Sequence, residues 1–163
     1  MRIIAIDPGY ERLGIAVLEE TREAVSLIFS ECFHTSATLP FSERLHLIGR
    51  EVERIVETFA PDALAIETLF FTANQKTAML VSESRGVVTY EAAKKGLRVF
   101  EYSPLQVKIA VTGFGRATKE SMMAMLPRLV TIPNTLTNDD EYDAIAVGLT
   151  CLASHKREVG GKV

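Results

Sequence analysis

The chain has 163 residues, a formal net charge of −3 and an apolar content of 47%. This length fits one domain with its own core, and the apolar content excludes a disordered chain. The sequence has no apolar run near the roughly 20 residues that a membrane-spanning helix needs, which argues against an integral membrane protein. We expect one domain over residues 1–156 and a flexible tail over 157–163.

The start of the chain and its cysteines indicate where the protein works. Met1 leads directly into strand-like residues, so we expect no secretory signal. Cys32 and Cys151 lie far apart in apolar-rich segments. This placement predicts reduced core thiols in a cytoplasmic protein, and it does not favour a disulfide or a zinc site.

The first part of the chain predicts an antiparallel meander of three strands. Apolar residues favour strands at 1–7, 14–18 and 25–34. A helix is predicted over 41–59 because its apolar residues recur at helical spacing, and Pro61 ends it.

The rest of the chain alternates strands with helices. We predict, in chain order, a strand at 63–67, a helix at 73–95, a strand at 97–102, a helix beginning at Pro104, and helices at 118–129 and 140–153. The first and fourth strands are expected to be adjacent and parallel. The result is an α/β fold with a central five-stranded mixed sheet flanked by helices.

Four carboxylates stand where these elements begin or end. Asp7 ends the first strand before a Pro8-Gly9 turn, and Glu67 ends the fourth strand. Asp140 and Asp143 begin the last helix, and their spacing puts them on one face. Acids at the tips of buried strands are costly unless a cation holds them, and Mg²⁺ binds carboxylates together with water and phosphate. The pattern predicts a Mg²⁺ site that acts on phosphate.

Two of these acids also have simpler interpretations. Asp7 before Pro-Gly is ordinary turn chemistry. Thr137 and Asp140 form a T-x-x-D pattern that is typical of a helix capping box. Asp139 competes with Asp140 as a ligand, although we expect Asp139 and Glu141 to be solvated at the helix N-terminus.

Basic residues are concentrated in the middle of the chain despite its negative net charge. Residues 72–119 contain eight lysines and arginines but only three glutamates. Two of the lysines, Lys108 and Lys119, lie on either side of a glycine-containing loop. This distribution favours a polyanionic partner, and it outweighs the weak argument that the net charge makes against nucleic acid.

The order of elements and five motifs resemble the RuvC family of Holliday junction resolvases, which have the ribonuclease H-like nuclease fold. The motifs are IDPG at 6–9, IETLF at 66–70, NQKTAMLVSESRGV at 74–87, SPLQVKIAVTGFGRATK at 103–119 and DEYDAIA at 140–146. They extend over nearly the whole chain. A DPG turn alone also occurs in actin-like kinases, whereas four acids in this order with a lysine-bearing loop form a specific pattern.

The resemblance implies a structure-selective DNA endonuclease that acts in homologous recombination and DNA repair. It would resolve four-way junctions by paired symmetric nicks, which leave 5′-phosphate and 3′-hydroxyl ends. The implied cofactor is Mg²⁺, with two ions per active site and Mn²⁺ able to substitute. The implied ligands are Asp7, Glu67, Asp140 and Asp143, and Lys119 would stabilise the developing phosphate charge.

The resemblance also implies partners and DNA contacts. A homodimer is expected because a junction needs two opposed cuts, and RuvA and RuvB are implied as branch-migration partners. Phe70 matches an aromatic residue that stacks on junction bases, although it could instead belong to the core. The candidate phosphate contacts, each of which could also be a solvated surface charge, are Lys76, Arg85, Lys108, Arg116 and Lys119.

Three other functions stay open on the sequence alone. A ribonuclease H-like nuclease acting on RNA would share the acids. A non-catalytic junction-binding protein would share the basic residues without needing all four acids. An actin-like kinase would share the first Asp-Gly turn, but the length argues against its two domains.

Overall fold

The structure is a computed structural model that describes residues 1–69, 75–132, 136 and 138–160, with side chains described through residue 155. Within these residues, five strands and five helices follow one another along the chain. The strands are β1 (Arg2–Asp7), β2 (Arg12–Glu20), β3 (Val25–His34), β4 (Ala63–Glu67) and β5 (Arg98–Tyr102). The helices are α1 (Phe41–Phe59), α2 (Gln75–Lys94), α3 (Pro104–Thr112), α4 (Lys119–Leu129) and α5 (Asp139–Gly160).

The strands form one mixed sheet in the order β3-β2-β1-β4-β5. The hairpin pairs β1–β2 and β2–β3 are antiparallel, whereas β4 pairs in parallel with both β1 and β5. This arrangement confirms the predicted α/β architecture and the parallel pairing of the first and fourth strands.

The sheet is covered by helices on both faces, as the alternation of buried residues along β1 shows. Ile3 and Ala5 pack in a core cluster with α3, α4 and α5, whereas Ile4 and Ile6 pack in a second cluster with α1 and α2. All four side chains are fully buried. A central strand covered on both faces is therefore continuously apolar, which is why β1 is a run of apolar residues up to Asp7.

Helix α5 lies directly on the hairpin of β1 and β2. A Cβ added to Gly148 would lie 2.5 Å from Leu18 Cδ1 and 3.1 Å from Ala5 Cβ, so a side chain at this position would require the strand side chains to shift. The close packing holds the N-terminal turn of α5 against the end of the sheet where β1 and β4 finish.

Several element bounds differ from the predictions by one or two residues, and two elements are clearly longer than predicted. Strand β2 runs over Arg12–Glu20, which adds residues at both ends because it pairs with both β1 and β3. Helix α5 ends at Gly160 and not at 153, since residues 154–160 include helix-forming types and no proline. The boundary at residue 156 between domain and tail stays a prediction. No helix in the described ranges is long and apolar enough to cross a membrane.

Candidate active site

Two strand ends bring the first pair of predicted acids together. In the parallel pairing of β1 and β4, Ile6 is opposite Ile66. The next residues, Asp7 and Glu67, therefore end neighbouring strands at the same edge of the sheet. The carboxyl ends of neighbouring parallel strands border a shared crevice, which is where open α/β sheets bind their ligands.

The second pair of acids arrives on the first turn of α5. Gly14 of β2 is opposite Asp7 in the β1–β2 register. A Cβ on Gly14 would lie 2.1 Å from the Asp140 carbonyl oxygen and 3.2 Å from Asp7 Cβ. Only a glycine leaves room for this approach, so Gly14 permits the start of α5 to lie beside the end of β1.

Asp140 is held by side chains from β2 and β3. Cys32 Sγ of β3 donates a hydrogen bond to Asp140 Oδ2 over 3.4 Å, and Arg12 Nε lies 3.3 Å from the same oxygen. Burial, followed by the contact with Asp140, raises the pKa of Cys32 to about 11. Cys32 therefore stays a neutral thiol that can donate to the carboxylate. Cys32 and Cys151, the two cysteines of the chain, form no disulfide.

The N-terminus of α5 differs in part from the prediction. Asn138 Oδ1 accepts from the Asp140 backbone N–H over 3.0 Å, so Asn138 caps this turn. The proposed capping box needs Thr137, which lies outside the described residues. Asp139 and Glu141 are not merely solvated, because Asp139 contacts Lys119 and Glu141 accepts a hydrogen bond from Ser30 over 2.6 Å.

Three of the acids and both loop lysines line one cavity of about 270 Å³. Its lining residues are Asp7, Glu67, Pro104, Val107, Lys108, Lys119, Met122 and Asp143. Asp140 is outside this lining, one helical turn before Asp143. The structure therefore groups five of the predicted residues around a space at the edge of the sheet.

Side-chain caps define where the helices that carry the two lysines begin. Ser103 caps α3 in a capping box with Gln106, and Pro104 occupies the first turn, so the course of the helix carrying Lys108 is well defined. Thr118 caps α4 by accepting from the Ser121 N–H, which puts Lys119 at the first helical position.

The acids of the cavity are close enough to resist full ionisation. Burial, and then the charges of Glu67, Asp143 and Asp140, raise the pKa of Asp7 from 3.8 to about 7. Burial and the charge of Asp143 raise the pKa of Glu67 from 4.5 to about 7. Carboxylates that are buried together in this way are stabilised in their charged form by a cation.

Lysine and arginine side chains already contact two of the acids. Lys119 Nζ lies 3.0 Å from Asp143 Oδ2 and 3.4 Å from Asp139 Oδ2. Desolvation lowers the pKa of Lys119, but these two contacts outweigh it and raise the pKa overall. Asp140 similarly contacts Arg12.

The donor set fits a hard divalent cation. Its ligand candidates are carboxylate oxygens, which Mg²⁺ and Mn²⁺ prefer, and such an ion would offset both the burial and the mutual repulsion that raise the pKa values of Asp7 and Glu67. As the side chains of the described residues stand, no group of three or more His, Cys, Asp or Glu is arranged to hold a metal ion. Metal ligation by these acids stays a prediction.

The other predicted DNA contacts lie outside the cavity lining. Lys76 and Arg116 are exposed, near the start of α2 and in the loop before α4. Arg85 is paired with Glu101 and donates to a backbone carbonyl, so its charge is already engaged within the protein. Phe70 lies outside the described residues.

Sequence reasoning missed the side chains that support the acids. Arg12 and Cys32 come from strands far along the chain from Asp140, and no spacing links them to it. Gly14 carried a usable signal, since a glycine inside a strand often marks the close approach of another backbone. The sequence also carried a signal for the start of α3, because Ser103 and Gln106 have the spacing of a capping box around Pro104.

Comparison with known proteins defines the class to which this fold and site belong. The family model described as "Crossover junction endodeoxyribonuclease RuvC" matches residues 3–151. A RuvC of Ruminiclostridium cellulolyticum is 40% identical over 156 residues, covering 96% of this chain and 94% of the relative. A RuvC of Roseiflexus is 43% identical over 148 residues, covering 91% and 88%.

Solved structures agree with the sequence comparison. Thermus thermophilus RuvC in complex with a Holliday junction substrate has a TM-score of 0.91 and 30% identity, covering 97% of this chain and 96% of that one. The yeast mitochondrial Holliday junction resolvase has a TM-score of 0.68 at 12% identity, covering 96% and 82%, which shows a shared fold alone.

The chain belongs to the RuvC family of crossover junction endodeoxyribonucleases. The predicted family, the ribonuclease H-like fold and the enzyme class are thereby confirmed. Nucleases of this family are metal-dependent.

Proposed function

We propose that this protein is a structure-selective DNA endonuclease that resolves four-way junctions in recombination and repair. The observation that carries the proposal is the grouping of Asp7, Glu67, Asp143, Lys108 and Lys119 around one cavity in a chain of the RuvC family. The solved relative from Thermus thermophilus is described in complex with a Holliday junction substrate, which supports the same substrate here. The proposed products are symmetric nicks with 5′-phosphate and 3′-hydroxyl ends.

Asp7, Glu67, Asp140 and Asp143 would hold the metal, proposed to be two Mg²⁺ ions for which Mn²⁺ can substitute. When bound, the ions supply Lewis acidity toward water and the scissile phosphate. The protein's own contribution begins with the carboxylates, which are kept together at the sheet edge by β1, β4 and α5. Their fixed position orients the substrate phosphate relative to the attacking water.

The two lysines of the cavity supply positive charge from helices α3 and α4. Lys119 is held near the acids by its contacts with Asp139 and Asp143, and Lys108 lies close enough to Glu67 to lower that carboxyl's affinity for a proton. A phosphate entering the cavity would meet both ammonium groups. Such preorganised charge stabilises the extra negative charge of a pentacoordinate phosphate.

Substrate binding would extend beyond the cavity. Exposed Lys76 and Arg116 are proposed to contact DNA phosphates, together with Lys108 and Lys119. Phe70, three residues after Glu67, is proposed to stack on bases at the crossover. Arg85 already contacts Glu101 and the Glu67 carbonyl within the protein, and its predicted contact with a DNA phosphate stays a prediction.

The assembly is proposed to be a homodimer, since two opposed strands must be cut and a two-fold dimer presents two equivalent sites. Family membership supports RuvA and RuvB as branch-migration partners, and the cytoplasm as the place of action.

A substrate panel tests the proposed function. Wild-type protein with Mg²⁺ should cut a synthetic mobile four-way junction much faster than a linear duplex or an RNA–DNA hybrid. Asp7→Asn should remove junction cleavage and leave junction binding near the wild-type level, because it deletes a metal ligand without adding bulk. Preferential cutting of the hybrid would point instead to an RNA-processing nuclease. Junction binding without cleavage by wild-type protein would point to a binding module.

A further inference from the structure

Two neighbouring residues in the middle of α2 reach the segments that carry the first two acids. Ser84 Oγ donates to the Gly9 carbonyl oxygen over 2.9 Å. Gly9 follows Asp7 by two residues in the turn after β1. Ser84 is therefore in contact with the loop that sets the direction in which Asp7 leaves the sheet.

Ser84 is a polar residue in an apolar stripe of the helix. Ser84, Val88 and Ala92 are each 0% exposed and lie on one face at a spacing of four residues. Packing alone would favour an apolar side chain at the position of Ser84. The hydroxyl is accommodated because the Gly9 carbonyl accepts its proton, so the hydrogen bond and not the packing explains the serine.

Arg85 makes the equivalent contact with the second acid-bearing strand. Its Nε donates to the Glu67 carbonyl oxygen over 3.3 Å, and its guanidinium pairs with Glu101 on β5. Glu101 is opposite Ile66 in the β4–β5 register, directly before Glu67. Only 22% of the Arg85 side chain is exposed, whereas half of the Glu101 side chain is. Arg85 thus faces the end of β4 and not the solvent.

We propose that Ser84 and Arg85 are positioning residues, which fix the relative placement of the Asp7 and Glu67 carboxylates from one rigid helix and so set the affinity of the site for its metal. The proposal rests on the metal site of the proposed function. It gives Arg85 a role different from the phosphate contact that its charge alone suggests. Glu101 already compensates that charge, and the Nε proton is directed at a backbone oxygen.

The test measures metal binding by the protein without DNA. Metal-free protein is titrated with Mn²⁺, and the free ion is followed by electron paramagnetic resonance. Arg85→Met keeps the length of the stem without donors, Arg85→Lys keeps the charge without the two-pronged geometry, and Ser84→Ala removes the hydroxyl. Arg22→Met is the matched control, since Arg22 is exposed in the β2–β3 turn, away from the site.

Each of the three test variants should bind Mn²⁺ about 10-fold more weakly than wild type, as is usual when a group that orients a ligand is lost. Arg22→Met should bind like wild type. Junction affinity without divalent metal, and its dependence on salt, should be unchanged in Arg85→Met. Wild-type Mn²⁺ affinity in the folded variants would overturn the proposal. So would a salt slope in Arg85→Met that is shallower by about one unit and restored in Arg85→Lys, because this would make Arg85 a phosphate contact.

Thermal melting reports whether each variant is folded. If Arg85→Met does not fold, Glu101→Gln replaces it, because this change releases the guanidinium at a half-exposed position. Glu101→Gln should also weaken Mn²⁺ binding, and wild-type affinity in both Glu101→Gln and Ser84→Ala would overturn the proposal. Wild-type protein that binds Mn²⁺ but does not cut junctions would contradict the proposed function and leave the positioning role intact.

Discussion

At the scale of single residues, the carboxylates at the sheet edge are a cost to the metal-free fold. Asp7 and Glu67 are held where burial and neighbouring charge raise both pKa values to about 7. A group whose native pKa departs from its unfolded value makes stability depend on pH. The arrangement that suits a metal therefore destabilises the protein when the metal is removed.

The first prediction is that Asp7→Asn stabilises the metal-free protein at pH 8. Removing this charge ends the cost of burying it and also relieves its repulsion with Glu67 and Asp143. The gain should be on the order of 2 kcal/mol. This is less than the full pKa shift implies, because the asparagine amide that replaces the carboxylate is itself a buried polar group. This corresponds to a rise in melting temperature of about 4–8 °C. Glu23→Gln, at an exposed acid, is the control and should melt like wild type.

The second prediction concerns the pH dependence of metal-free stability. Both acids have folded pKa values above their unfolded values, so the native state binds more protons than the unfolded state between about pH 4 and pH 7. The free energy of unfolding should fall as pH rises through this window, by up to about 1.4 kcal/mol per pH unit for each proton that unfolding releases. Above the window it should level off.

Thermal melting at pH 5 and at pH 8, with a chelator present, tests whether stability falls as pH rises. The metal-free protein should melt lower at pH 8, and millimolar Mg²⁺ should reduce the difference because metal binding competes with protons. A metal-free protein that is equally stable at both pH values would contradict the electrostatic interpretation of the site.

At the scale of elements, the position of α5 on the β1–β2 hairpin decides whether Asp140 and Asp143 lie near the acids of β1 and β4. Gly14 is a point of close approach between the helix and the hairpin. A Cβ added to Gly14 would lie 2.1 Å from the Asp140 carbonyl oxygen. That oxygen belongs to the backbone and not to a flexible side chain, so the helix itself would have to move.

The third prediction is that Gly14→Ala separates α5 from the sheet edge. The clash with the Asp140 carbonyl should cost about 1–3 kcal/mol of stability, as overpacking does, and junction cleavage should fall more than the folded fraction does. Gly86→Ala in α2 is the control, since a Cβ there meets no atom within 4 Å and alanine is the better helix former. Full activity in folded Gly14→Ala would show that the approach is not critical.

The elements that sequence predicts well are those with one clear period and a clear end. The bounds of β3, α1 and β4 agree with the prediction because apolar spacing and Pro61 define them locally. The end of α5 was placed too early, at residue 153, because the regular apolar spacing of the sequence stops there while the backbone continues to Gly160. Periodicity reports the buried part of a helix and not its whole length.

The same reasoning explains what could be predicted of the site. Acids at strand ends are visible in sequence because β1 and β4 are apolar up to Asp7 and Glu67. The contacts of Arg85 were not visible, because charge alone does not show that Glu101 and the Glu67 carbonyl are its partners. Contacts between distant segments depend on the packing of α2 against the sheet, which no local pattern encodes.

At the scale of the whole molecule, location separates the basic residues into two groups. Lys94 and Lys95 at the end of α2 contact Glu53 and Glu57 of α1, so their charge is balanced away from the site. Lys108 and Lys119 instead line the cavity, where Lys119 also contacts Asp143. A protein with a net charge of −3 can thus bring two ammonium groups to the place where a phosphate would bind.

The fourth prediction is that a lysine of the cavity contributes to the salt dependence of junction binding, whereas a lysine paired away from the cavity does not. Affinity should fall steeply with salt, and Lys108→Ala should make the slope shallower by about one unit while it lowers cleavage. Lys94→Ala should leave the slope unchanged, because that lysine is already paired with Glu53 and Glu91. Binding measured from low to moderate salt decides this, and equal slopes for the two variants would remove the distinction between the groups.

The positions of the four acids along the chain have a consequence for biosynthesis. They lie at residues 7, 67, 140 and 143, so the cluster includes parts from both ends of the fold. A nascent chain that lacks α5 carries only two of them, and it also lacks the helix that packs on β1 and β2. If these four acids form the proposed metal site, the site is complete only after α5 has been synthesised, and a chain released before that point would lack two of its ligands and could not cut the DNA around it.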